Sequence, residues 1–115
     1  MNDKKFSTYN DGVAFIYREK PKRNDFSAKQ NVSTLDDMDF IVKLDFSQVS
    51  KRQQDIEFAE QQGFSLSLKI KTRYNPVVKS KYKAVINNYL YDIAYMDDDR
   101  KEMWLYLEGV RSLDT

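Results

Sequence analysis

Residues 50–73 read SKRQQDIEFAEQQGFSLSLKIKTR and change their period halfway along. The first half carries helix start and stop signals. Ser50 followed by Gln53 fits a capping box, and Gly63 can take the left-handed conformation that ends a helix. This predicts a helix over about 50–62. Only Ile56, Phe58 and Ala59 are apolar between Lys51 and Gln62, so the helix is expected to lie lightly on a core, its polar side toward solvent or another protein. The second half alternates: Phe64, Leu66, Leu68 and Ile70 point one way, and Ser65, Ser67, Lys69 and Lys71 the other. That pattern predicts a half-buried antiparallel strand over 64–72.

Outward from this stretch, the chain reads as strands joined by turns. VAFIYR, Val13 to Arg18, follows the turn signal Asn10-Asp11-Gly12 and predicts a first strand. Residues 19–37 have few apolar side chains and no clear period, so a long polar loop is expected there; connections of that length are usually mobile or functional. MDFIVKLDFSQV, Met38 to Val49, sets Phe40, Val42, Leu44 and Phe46 against Ile41, Lys43 and Asp45, a long strand preceding the helix. Asn75-Pro76 bars a central strand at that point. KYKAVI, YLYDIAYM and EMWLYLEGV then form a meander. Asn87-Asn88 supplies a two-residue hairpin turn, and Asp97 to Lys101 the next turn. The expected core is Phe40, Val42, Leu44, Leu66, Leu68, Ile70, Ile86, Ile93 and Leu105. The fold class is therefore mainly β, a small antiparallel barrel or sandwich with one inserted helix, over a single domain, 1–115.

Composition narrows the chemistry. The 115 residues include no cysteine and no histidine. Without cysteine there is no disulfide framework and no thiolate, which fits a reducing compartment. Without histidine the commonest general base and the commonest transition-metal ligand are both missing, so neither an enzyme nor a cofactor or metal site is expected. No apolar run approaches the ~20 residues that span a bilayer, and the opening residues lack a signal-peptide core, so the chain is expected to be soluble where it is made, with no membrane partner.

Charge is unevenly spread despite a net of +1. Between Gly63 and Tyr91 there is no acid, but there are Lys69, Lys71, Arg73, Lys79, Lys81 and Lys83. The flanks are acidic: Asp36, Asp37, Asp39, Asp45, Asp55, Glu57 and Glu60 on one side, and Asp92, Asp97, Asp98, Asp99, Glu102 and Glu108 on the other. A basic middle between acidic ends suits stacking on copies of the same chain, or presentation of a basic patch to phosphates. Lys69, Lys71, Arg73, Lys79, Lys81 and Lys83, with Asp97, Asp98 and Asp99, are thus the candidate interface with a neighbouring subunit or another protein. Asp97 to Asp99 lack the glycine and glutamate of a full calcium loop and read as a solvated acidic turn.

The order strand, helix RQQDIEFAEQQG, alternating strand FSLSLKIKT, further strand, then YLYDIAYMDDDRKEMWLYLEGV resembles the small head-tail joining proteins of long-tailed bacteriophages, also called head closure or stopper proteins. The resemblance covers roughly Phe40 to Val110 and is carried by Asp55, Ala59, Ser67, Lys69, Tyr91, Asp92, Ile93 and Asp97. It implies a small β-barrel or sandwich with a helix inserted, assembling as a dodecameric ring below the portal vertex of the virion. A portal-side connector protein would lie on one side and a tail terminator or other tail protein on the other. In such a ring the long loop, with Lys20, Lys22, Arg23 and Lys29, is the candidate channel loop, touching packaged DNA non-specifically or gripping the connector. The competing class is a single-stranded nucleic-acid-binding small β-barrel. It would need the basic block and stacking aromatics, with Tyr89, Tyr91, Tyr95, Trp104 and Tyr106 as candidates, on one exposed face. With only Tyr74 and Tyr82 among the cations of residues 69–83, the block fits the head-tail joining class better.

Overall fold

The computed structural model describes residues 8–20, 35 and 38–113. Six strands and one helix follow in the order β1 (Gly12–Glu19), β2 (Met38–Val49), α1 (Gln53–Gln62), β3 (Leu68–Arg73), β4 (Lys83–Ile86), β5 (Tyr89–Asp98) and β6 (Glu102–Ser112). All neighbours are antiparallel, and the sheet closes on itself in the order β1-β2-β3-β6-β5-β4. Closure gives every strand a hydrogen-bonded neighbour on each side and shortens the free edges an open sheet would expose, although β2 meets β3 only over residues 46–49 and β5 meets β4 only over residues 89–92. The chain is mainly β, as its alternating runs predict. The expected loop over 19–37 lies almost wholly outside the described residues.

Inward positions follow the period of two. Ala14 and Ile16 of β1, Leu44 and Phe46 of β2, Ile70 and Thr72 of β3, Ala84 and Ile86 of β4, Ile93 of β5, and Met103, Leu105 and Leu107 of β6 are all buried. Val78, from the loop after β3, joins the same apolar cluster. Its neighbour Val77 is exposed beyond Asn75-Pro76. The β4–β5 turn is the two-residue hairpin expected of Asn87-Asn88, with φ of 50° and 64°, the left-handed conformation asparagine tolerates.

Phe40 departs from the expected core. It is 54% exposed, because the β1–β2 register shifts between Ile16 and Tyr17: Ile16 faces Val42, but Tyr17 faces Phe40. Ile41 is thus an extra residue, and a bulge of this kind makes the residues on its two sides alternate out of step, so Phe40 faces outward where Val42 and Leu44 face inward. The same device acts in β5, where Ile93 pairs with Leu107 but Tyr95 with Tyr106, so Ala94 is extra and Tyr95 turns outward. Val42, Leu66 and Leu68 are only half-buried, and the strand begins at Leu68 rather than Phe64.

The helix caps itself differently from the Ser50/Gln53 expectation. Its N-cap is Arg52, with extended backbone, and the Arg52 amide donates to Asp55 Oδ2 at 3.0 Å. Asp55 therefore fills the role assigned to Gln53. At the other end Gly63 has φ 87°, and the amides of Gly63 and Phe64 close onto the Glu60 and Ala59 carbonyls. Nothing lies within 4 Å of where a Cβ on Gly63 would sit, so Gly63→Ala meets only backbone strain. A loss of about 1 kcal/mol in a urea melt is expected.

Candidate functional site

The outer wall of the barrel carries three side-chain groups, and the candidate residues divide among them. The first lies under α1. Lys69, on the outward side of β3, is 5% exposed because the helix covers it. Its Nζ donates to Asp55 Oδ1 at 3.2 Å and stands 4.9 Å from the centre of the Tyr106 ring. Phe58 packs edge-on against Tyr95 at 4.7 Å and lies 6.1 Å from Tyr106, while the two tyrosines meet at 5.3 Å. Burial pushes the Asp55 carboxyl up. The Arg52 amide, the Lys69 ammonium and the Arg52 guanidinium outweigh it and hold the group below its ordinary value. Lys69 is thereby taken out of the candidate interface: its charge is neutralised inside its own chain.

The second group is the rest of the basic block. Lys71 lies 3.6 Å from Glu102. Lys83 donates to Asp92 at 2.6 Å and lies 3.6 Å from Glu19. Arg73 is exposed, and its guanidinium sits over the Tyr9 ring at 5.4 Å, while Tyr9 donates to Glu102 at 2.8 Å. Lys79 and Lys81 are exposed in the β3–β4 loop. Of these five cations, Lys71 and Lys83 sit within 4 Å of acids that strand pairing brings alongside. The acidic turn is likewise turned on itself. Asp99 Oδ1 accepts from the amides of Lys101 and Glu102, Asp98 Oδ1 from Arg100, and Asp97 Oδ1 from Asp98. The first two of these bonds hold the Asp99 carboxyl below its usual value. Of the channel-loop candidates, Lys20 is exposed, and Lys22, Arg23 and Lys29 lie outside the described residues.

The aromatics named for base stacking are mostly occupied. Tyr95 and Tyr106 pack with Phe58, Tyr89 packs against Tyr91 at 5.1 Å, and Trp104 is half-buried on β6 between Lys71 and Asp97.

The third group is an apolar strip on the outward side of β1 and its neighbours. Val13, Phe15, Tyr17, Leu35, Val85, Asn87 and Asn88 line an open groove of about 510 Å³. Phe15 and Leu35 are each 39% exposed. Phe40 packs on both aromatic rings of β1, at 6.5 Å from Phe15 and 5.6 Å from Tyr17. Lys43 stands opposite Phe15, Asp45 opposite Val13, and Arg18 bonds Asp39 at 3.2 Å, so the rim carries both signs. None of these residues was a functional candidate in the sequence reading, and Phe40 was assigned to the core. A signal was present: GVAFIYRE is apolar on both faces, Ala14 and Ile16 inward and Val13, Phe15 and Tyr17 outward. A strand with two apolar faces has something to bury on each. No protein-family model matches the chain, and no curated protein sequence matches it.

Proposed function

We propose that the chain is a structural subunit of a phage virion, a ring-forming head-tail connector that closes the DNA-filled head below the portal and offers the tail a docking surface. The observation that carries this reading is the aromatic strip of Phe15, Tyr17 and Phe40 beside an open apolar groove on the outer wall of a closed barrel. In a closed barrel each strand already has two hydrogen-bonded neighbours, so association leans on side-chain faces more than on strand addition. A contiguous apolar strip with a mixed-charge rim is the usual dress of a protein interface. The helix between β2 and β3 also stands where the resemblance to head closure proteins requires one.

The nucleic-acid reading draws less support. It needs an open basic face with free rings, whereas Lys69, Lys71 and Lys83 lie beside acids and Tyr95 and Tyr106 lie against Phe58.

Attachment to DNA-filled, tail-less heads tests the proposal directly. Wild-type protein is expected to bind as a ring visible by electron microscopy and to restore tail joining. Phe15→Asp with Phe40→Asp is expected to keep the far-UV dichroism of the barrel and lose attachment at least tenfold. Unchanged attachment by the double variant rules the strip out as the interface. Salt-sensitive binding to single-stranded DNA, with no binding to heads, favours the rival class.

A further inference from the structure

We propose that α1 is a latch that opens as a unit from an intact barrel, baring a helix-docking face made of Lys69, Tyr95 and Tyr106. The apolar cluster that fills the barrel contains no residue of α1. β2 and β3 pair directly, from Phe46 opposite Thr72 to Val49 opposite Lys69, so the helix is an elaborated hairpin connection standing outside a complete ladder. Its end hydrogen bonds are local: Asp55 and Ile56 to the Arg52 carbonyl, Gly63 to Glu60, and Phe64 to Ala59. Only Asp55 and Ala59 of the helix are fully buried. Swinging α1 away breaks no strand pairing and opens no cavity in the core.

What opening uncovers is specific. Lys69 becomes an ammonium flanked by the ring of Tyr106, with Tyr95 beside it. Its complement is a helix that carries a carboxylate and, three residues on, an aromatic ring, the pair that Asp55 and Phe58 present now. Positions three apart lie on one helix face, so any helix with that spacing reaches both partners. The closed state is poised rather than locked. The charges of Asp55 and Lys69 are taken from water on closing and returned to it on opening, and for such a pair desolvation offsets much of the attraction. Phe58 and Ala59 then supply most of the remaining bias, and segments with so little buried apolar surface are those that open first.

Native-state amide exchange on the full chain, at rising denaturant, tests the latch. Amides of residues 56–63 are expected to exchange through an opening at least 100-fold more frequent than that of the β3 and β6 amides, and nearly independent of denaturant. Ala59→Arg, whose side chain cannot seat against the barrel, is expected to strip protection from α1 while β3 and β6 stay protected. A peptide of residues 50–64 is expected to bind the Ala59→Arg chain, and to bind at least tenfold more weakly once Lys69→Met is added. Three results overturn the proposal: α1 sharing the barrel's opening at every denaturant concentration, a barrel that fails to fold with Ala59→Arg, or a peptide that shows no saturable binding.

Discussion

Leu105→Ala is expected to lower the unfolding free energy by about 2 to 5 kcal/mol, through lost transfer energy and the cavity left behind. Leu105 is 0% exposed, in the middle of β6, with Ile70 opposite it on β3 and Met96 on β5. Hydrogen-bonded strands stand on both sides, so the backbone cannot relax into the hole, which favours the upper part of that range. Against a total of about 5 to 15 kcal/mol for a domain of this kind, the loss brings the barrel near its limit at 37 °C. Leu68→Ala, two residues before Ile70 on β3, makes the contrast. Its half-buried side chain has less contact to lose, and a smaller effect is expected. Urea melts of the two variants, analysed with a common slope, provide the measurement. Equal losses would mean that the end of the barrel at Leu68 is as tightly packed as its middle.

The strands were legible because a barrel wall imposes a period of two, and runs such as Met103 to Leu107 obey it. The hairpin at Asn87-Asn88 and the stop at Gly63 were legible because few residues tolerate positive φ. Bulges were not. Nothing in FIVKL says that Ile41 is an extra residue, yet that one residue moves Phe40 from the core to the outer strip. Charge was misread for a related reason. Counting cations along residues 69–83 made a basic block, but in a closed antiparallel sheet each residue's neighbours come from other strands. Lys71 meets Glu102 of β6 and Lys83 meets Asp92 of β5, while Lys69 meets Asp55 across the helix connection. Position along the chain measures charge density only where the chain is not paired. The alternation that placed Lys69 on the outer face was correct; what it lacked was any sign that the thinly apolar helix would come down on that face.

Asp55→Leu is expected to cost about 3 to 5 kcal/mol, because it strands the Lys69 ammonium under the helix and also removes the acceptor of the Arg52 amide. Adding Lys69→Met should return most of that loss, since a well-packed apolar pair in place of a buried ion pair is often neutral or better. The double variant is expected to stay below wild type by about 1 kcal/mol, the contribution of the lost cap. A double-mutant cycle in urea yields the coupling energy, and a value near zero would show that water screens the pair. The pH dependence gives an independent check whose sign follows from the direction of the shift. Asp55 titrates below its unfolded value of 3.8, so its contribution is present in full above that pH and is lost as pH falls through the lower, folded value. Wild type should therefore lose stability more steeply below about pH 4 than the Asp55→Leu, Lys69→Met double variant, in which that carboxylate is gone and only others such as Asp99 still titrate. Parallel acid limbs for the two proteins would show that the Asp55–Lys69 pair contributes nothing net to holding the helix down.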